Sequence, residues 1–379
     1  MNVDVVRGQA GDASARFELS GLLAMRCYAA LSIFLVHLIA LPKLPIPTYL
    51  WFLPAHFGNG VPLFYIVSAF GLFVGYRGRI KTRQELREFY LRRFLRIAPL
   101  FYFIMLFYVP FCWTMWGTTI PLSQFVSSAL FIFNFVPNHV AGFVMASWSI
   151  GVEMAFYAIL PLLVFAITGL ARSLVLLAVA VFLSANWDLA FHGTEGALAL
   201  FGQLSLMAHL FYFAAGIAGC YAWLGLRRTS PQIGRIVFAA SLLTIAGLIC
   251  FASQIAVLIG TMLGPSGGSG VKAIWAVALT GAVVGVSLYP QKWFVNPAAK
   301  LLGNASFSIY LWHPVVIVIL DRLGLYHTIY ASFDGVSIPF LASLIATLAV
   351  LIPLSLLSYR YIERPGMALG ARFNRLGAA

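Results

Sequence analysis

The apolar runs of this chain are about as long as a bilayer is thick. A helix needs about 20 mostly apolar residues to cross the hydrocarbon core. Ten such segments are predicted, at about 20–41, 57–76, 97–115, 146–168, 173–191, 203–224, 236–258, 272–289, 305–322 and 338–359. The runs are continuous, whereas a transmembrane β-barrel would alternate polar and apolar residues. Composition agrees: 61% of the 379 residues are hydrophobic and 9% are charged, against about 25% charged in soluble domains. A soluble enzyme, a disordered chain and a coiled coil are excluded. The expectation is an all-α polytopic membrane helical bundle with about ten transmembrane helices. One integral domain is expected over residues 20–359, between a cytosolic segment at 1–19 and a cytosolic tail at 360–379. The polar N-terminus lacks the order of a cleavable signal peptide. The fourth and fifth segments are expected to join through a tight turn at Gly169–Arg172.

The formal net charge is +13, and its distribution identifies its cause. With the N-terminus cytosolic and the spans alternating, 20 Lys and Arg residues fall on the cytosolic side. They are Arg7, Arg16, Arg77, Arg79, Lys81, Arg83, Arg87, Arg92, Arg93, Arg96, Arg172, Arg227, Arg228, Arg235, Lys292, Lys300, Arg360, Arg364, Arg372 and Arg375. Lys43, Lys272 and Arg322 make 3 on the other side, and Arg26 lies within a span. This is the positive-inside pattern. It accounts for the basic charge without nucleic acid and supports an even helix count with both termini cytosolic. The four cysteines, Cys27, Cys112, Cys220 and Cys250, lie far apart with no Cys-x-x-Cys or His cluster. They read as small buried residues, and no metal site is expected.

Between Tyr76 and Ile97 lie eight Lys and Arg but only two acids, Glu85 and Glu88. This segment is either a topology anchor on anionic lipid or a dock for a cytosolic polyanion, since guanidinium forks suit phosphate. Arg93 and Arg96, three residues apart at the expected mouth of a helix, share a face.

Ionisable groups inside spans are expensive and mark functional candidates. Arg26 and His37 lie on the first span, eleven residues apart. At 100° per residue they return to within about 20° of one face, separated by a rise of about 16 Å. One stripe thus carries a cation in the inner half and an imidazole in the outer half. Arg26 could alternatively snorkel to the headgroups. A lone membrane His, such as His209, is ordinarily a packing residue. In the fourth span, Ser149, Glu153 and Tyr157 follow one face. Glu153 needs a partner from another helix, either His37 or an arginine. The ninth span is expected to open at Gly303-Asn304-Ala305-Ser306, and His313-Pro314 to set an imidazole beside a backbone break. Tyr361-Ile362-Glu363-Arg364-Pro365 reads as a helix stop. A His oriented by a carboxylate is general-base equipment. With a phosphate dock inside and a base towards the outside, these residues suggest group transfer across the bilayer, and they name neither donor nor acceptor.

In order along almost the whole chain, these motifs resemble membrane acyltransferase family 3, which includes bacterial O-acetyltransferases of O-antigen, exopolysaccharide and Nod factor. The Arg-x10-His hallmark is Arg26 and His37. The Arg-x-x-Arg-Ile-x-Pro motif is Arg93 to Pro99. The Trp-Ser-x-x-x-Glu motif with its following Phe-Tyr is Trp148, Ser149, Glu153, Phe156 and Tyr157. Ser306 to Pro314 match the segment ending Tyr-Leu-Trp-His-x-Pro, here without the intervening residue, and Glu363 and Pro365 match the Glu-x-Pro ending. Where the family often has Glu-Glu-Gln this chain has Glu153-Met154-Ala155, so a second carboxylate is not required. The family's Ser-Gly-Phe is Ser68-Ala69-Phe70. The chain after Tyr359 is too short for the fused hydrolase-like domain of some members, so none is expected.

The resemblance implies an integral protein of the bacterial inner membrane that takes acyl groups, most often acetyl, from cytosolic acyl-CoA to a hydroxyl, usually on a glycan. It needs no metal. The CoA phosphates would dock on Arg93 and Arg96, with Arg92 beside them. Arg26 would line the path of the pantetheine arm. His37 would act as base, with Glu153 orienting it or stabilising its positive form. Trp148, Ser149, Tyr310 and His313 are candidate oxyanion donors, and Tyr157 lies on the same substrate-facing stripe. The acceptor stays open among oligosaccharide, O-antigen, capsule, lipid and macrolide hydroxyls. The alternative is a proton-coupled transporter or flippase of a glycan or lipid-linked substrate, but the inverted pair of broken helices common in transporters is not evident. A membrane scaffold would not need buried Arg, His and Glu.

Overall fold

A computed structural model describes residues 13–264 and 267–376. Arg7 and the rest of the first twelve residues, on which part of the charge pattern was read, lie outside them. Among the described residues the structure is helical, with no strand. The α-helices are α1 (Ala13–Ala40), α2 (Phe52–His56), α3 (Gly60–Tyr76), α4 (Arg83–Trp116), α5 (Leu122–Ala129), α6 (Trp148–Ala166), α7 (Leu170–Ala190), α8 (Gly196–Leu204), α9 (Leu206–Leu226), α10 (Pro231–Cys250), α11 (Ala252–Leu263), α12 (Gly267–Leu288), α13 (Pro297–Asn304), α14 (Ser306–Arg322), α15 (Leu325–Ser332), α16 (Ser337–Ser358) and α17 (Arg364–Leu376). Among the described residues nine helices are long and apolar enough to span a bilayer, and ten if α13 and α14, bent by 74°, form one broken span. The chain is an integral membrane protein, and its spans follow the ten apolar runs.

α1 sits at the centre, against α3, α12, α13 and α14. Association in lipid depends on close packing, because lipid tails are as apolar as the helices. Glycines make two of these approaches possible. A Cβ on Gly60 would lie 2.6 Å from the Ala29 carbonyl oxygen, and one on Gly303 would lie 2.0 Å from that of Leu23. α3 and α13 therefore press their backbones onto α1. α9 packs on α3 and α7, α12 joins α9 to α10, and α17 folds back along α4.

Five local expectations are corrected. The basic segment is mostly helix. Thr82 and Glu85 form a reciprocal capping box, so α4 starts at Arg83, and Arg93 and Arg96 lie about three turns inside it. Glu363 does not stop a helix. α16 runs through a π-turn (Tyr359–Glu363) into α17, and Pro365 falls directly after the π-turn. The ninth span breaks at Ala305, while α14 continues through Pro314. The turn between α6 and α7 is Ile167 to Gly169, and Arg172 is already helical, donating to the Ala166 carbonyl at 3.0 Å. Cys27, Cys112 and Cys220 are buried, but Cys250 at the end of α10 is exposed; all four are free thiols.

Candidate active site

The site lies where α1, α3, α4, α6, α14 and the π-turn converge. Arg93 and Arg96 are each only 8% exposed, because α17 covers α4 on that side. A Cβ on Gly366 would lie 2.6 Å from the ring of Pro99. Both arginines face one cavity of about 100 Å³, together with Arg26, Ser68, Tyr157 and Asn304. A second cavity of about 40 Å³ is lined by Arg26, Ser68, Phe64, Ser149, Glu153 and Tyr310. Arg26 and Ser68 line both, so the two cavities adjoin along a polar path from the arginines of α4 to Tyr310 on α14.

Arg26 does not snorkel out of the bundle. Its Nε donates to Ser306 Oγ at 3.2 Å, and its guanidinium carbon lies 5.9 Å from the Phe64 ring centroid. The charges that act on it are Arg96, Glu153 and Glu363. Glu363 is 1% exposed and accepts from Ser308 Oγ at 3.0 Å. Its second oxygen, Oε1, is sealed without a partner, and so is Arg93 Nε. Arg96 Nη1 donates to the sulfur of Met367 at 3.6 Å, a weak acceptor. Three guanidiniums and one carboxylate, Glu153, line the two cavities, with Glu363 buried nearby on Ser308, so positive charge is in excess. An uncompensated charge in such a place is costly, and an anionic ligand would relieve it.

Glu153 takes a different partner from the one expected. Its Oε1 accepts from Ser68 Oγ at 2.7 Å and from the Tyr157 hydroxyl. Neither His37 nor an arginine bonds it among the described residues. Ser149, one turn earlier, lies 2.7 Å from the Tyr310 hydroxyl, which donates to the Ala146 carbonyl at 2.7 Å. Ala146 holds a left-handed φ of 64°, an uncommon conformation for a residue with a side chain. Its carbonyl thereby occupies the Tyr310 proton.

His37 meets His313 instead. His37 Nδ1 and His313 Nε2 are 3.0 Å apart, and the ring centroids are 4.9 Å apart. The Tyr310 ring lies 5.6 Å from that of His313; neither histidine lines either cavity, and the pair neighbours the path at its Tyr310 end, away from Arg93 and Arg96. The 16 Å stripe read on α1 therefore connects the two ends.

The structure gathers Arg26, Arg93, Arg96, Ser149, Glu153, Tyr157 and Tyr310 along the path, with His37 and His313 at its end. It leaves two candidates aside. Arg92 is turned away and pairs with Glu88 at 3.2 Å. Trp148 packs on His209, ring to ring at 5.2 Å. His209 is the packing residue expected, its Nε2 3.0 Å from the Gln203 carbonyl. The sequence reading passed over Ser68, Ser306, Ser308 and Glu363 as site residues. Each is a hydroxyl or carboxyl in an apolar helical run, a signal that becomes specific only with the position of its partner. No group of three or more potential metal ligands occurs among the described residues.

A peptidoglycan O-acetyltransferase from Listeria monocytogenes is 26% identical over 334 residues, covering 81% of this chain and 50% of the relative. A protein of Komagataeibacter xylinus named as a candidate membrane-bound transacylase is 27% identical over 226 residues, covering 58% of this chain and 50% of the relative. The chain spans about half the length of these relatives. No solved structure matches. The family model described as an acyltransferase domain matches residues 19–360, which takes in α1 through the start of the π-turn and with them the cavity path and the histidine pair. The chain belongs to membrane acyltransferase family 3.

Proposed function

We propose that the chain transfers an acyl group, acetyl in the first instance, from acyl-CoA on the arginine-rich side of a bacterial inner membrane to a glycan hydroxyl on the other side. The observation that carries this reading is a pair of cavities that share Arg26 and Ser68, one lined by buried Arg93 and Arg96 and the other by Tyr310, whose ring neighbours that of His313 in the His37–His313 pair. The excess positive charge at one end suits CoA phosphates. The imidazole at the other end suits abstraction of a hydroxyl proton. Both termini and the Arg77–Arg96 segment are cytosolic in this reading. The Listeria relative is named for acetylating peptidoglycan, which supports a glycan as the acceptor class.

In the reaction, phosphates bind Arg93 and Arg96, and the pantetheine arm runs past Arg26. His37 removes the proton from the acceptor hydroxyl as its oxygen attacks the thioester carbonyl. The C–S bond breaks and the sulfur leaves as CoA thiolate, which takes the proton from His37. Glu153, held by Ser68 and Tyr157, balances the charge of Arg26 and Arg93 along the path. The test is CoA-thiol release by the purified protein, supplied with acetyl-CoA and a panel of soluble oligosaccharides. Acceptor-dependent release that disappears in His37→Ala is expected. Proton flux in proteoliposomes without any CoA release would overturn the reading in favour of transport.

A further inference from the structure

We infer that His313 is a positioning residue that holds His37 in its Nδ1–H tautomer and leaves the His37 Nε2 lone pair as the base. The inference rests on the role proposed for His37. It replaces the carboxylate expected in that place, because Glu153 is engaged by Ser68 and Tyr157 in the cavity.

The two rings have four nitrogens over which their protons are shared out. A neutral imidazole carries one N–H and one lone pair, and the neighbours decide which nitrogen holds which. His313 is fully buried, and its Nδ1 lies 3.3 Å from the Ile309 carbonyl oxygen. Pro314 has no N–H, so the Tyr310 carbonyl loses the partner that a continuous helix would supply. That spare oxygen also acts on His313. A carbonyl can only accept, so His313 Nδ1 carries the proton and Nε2 carries the lone pair. His37 Nδ1 lies 3.1 Å from the Ile33 carbonyl oxygen and 3.0 Å from His313 Nε2. Both are acceptors, so His37 Nδ1 carries a proton shared between them in a three-centre arrangement.

The reverse assignment fails at both rings. Were His313 Nε2 to donate, His37 Nδ1 would set a lone pair against the Ile33 oxygen. In neutral His313, Nδ1 would also set one against Ile309. Each would be a buried polar contact without a proton, the costly case. Three of the four nitrogens are therefore committed. The fourth, His37 Nε2, makes no hydrogen bond to the protein among the described residues, and His37 is only half-buried. His313 has no free lone pair for substrate. When His37 takes a proton at Nε2, its Nδ1–H becomes a charge-assisted donor to His313, and the hydrogen bond strengthens.

The test combines a spectroscopic and a kinetic reading on the full-length protein. With 15N-labelled histidine, signals of His37 are identified by their loss in His37→Gln. The inference expects a protonated Nδ1 and a bare Nε2; a protonated Nε2 with a bare Nδ1 in the neutral ring would overturn it. In His313→Gln the amide oxygen can accept where Nε2 did, so kcat should stay within about tenfold of the parent. In His313→Leu the acceptor is gone. kcat should then fall by about 10² or more, with KM for acetyl-CoA unchanged. Equal loss in both variants, or parental kcat in His313→Leu, would overturn the role. If His313→Leu fails to fold, the parental spectrum decides. Parental activity in His37→Ala beside the expected tautomer would reject His37 as base while leaving the tautomer assignment standing.

Discussion

At the arginine end of the path, buried charged groups keep individual atoms without partners. Arg93 Nε and Glu363 Oε1 are sealed without any, and Arg96 spends a donor on a methionine sulfur. At the histidine end the bonding is nearly complete: among the four ring nitrogens of His37 and His313, only His37 Nε2 lacks a protein partner among the described residues. Buried polar groups are ordinarily satisfied, so each departure asks for an explanation. At the first end the guanidiniums of Arg93 and Arg96 await one anion, and binding there is spread over charge. At the second end a single lone pair is left over, and its direction is fixed. Charge attraction tolerates approximate placement, whereas proton transfer needs the heavy atoms within hydrogen-bond reach. The two ends should therefore respond differently to substitution.

The largest effect is expected at the histidine end. His37→Ala should lower kcat by about 10² to 10⁴, the usual worth of positioned acid–base catalysis. Near-parental turnover in His37→Gln would remove the distinction, because an amide can restore a hydrogen bond but cannot act as base. At the arginine end, neutralising Arg93 and Arg96 together should raise KM for acetyl-CoA by about 10- to 100-fold, one or two charge-assisted hydrogen bonds' worth. kcat should change little, since phosphate contacts bind equally before and during the chemistry. A fall in kcat at constant KM would erase the comparison.

Two smaller effects sharpen it. Glu153→Gln keeps an acceptor for Ser68 and Tyr157 but removes a negative charge from the path. It should reduce kcat/KM by about tenfold, less than His37→Ala, if Glu153 balances charge rather than orients the base. Arg92→Gln should alter KM by less than about twofold. Arg92 lines neither cavity and spends its guanidinium on partly buried Glu88, one turn earlier in α4. A KM effect as large as that of Arg93 would mean that phosphate contact extends beyond the cavity.

The parts of this site visible in the sequence are those set by one helix. The apolar runs give the spans because bilayer thickness fixes their length, and the eleven-residue step from Arg26 to His37 gives their common face. Arg93 and Arg96 share a face for the same reason. Their burial was not legible, since α4 begins with charged residues that look like loop and becomes enclosed only when α17 folds over it. The partner of His37 was not legible either. Depth in the bilayer made Glu153 plausible, but the choice between Glu153 and His313 depends on how α14 turns its side chains towards α1. Glu363 looked terminal because Arg364 and Pro365 follow it, yet the π-turn rotates it inward onto Ser308.

The central claim is that donor binding and proton abstraction occupy opposite ends of one path across the membrane. Sealed proteoliposomes test it most directly. Orientation is fixed first with Lys81→Cys on a cysteine-free background, labelled from one side by an impermeant thiol reagent. Radiolabelled acetyl-CoA is then confined to the side bearing Lys81, and an oligosaccharide acceptor to the opposite side. The account predicts acetylated acceptor in that arrangement and none when the two substrates are exchanged. Transfer only when both substrates share one side would contradict it.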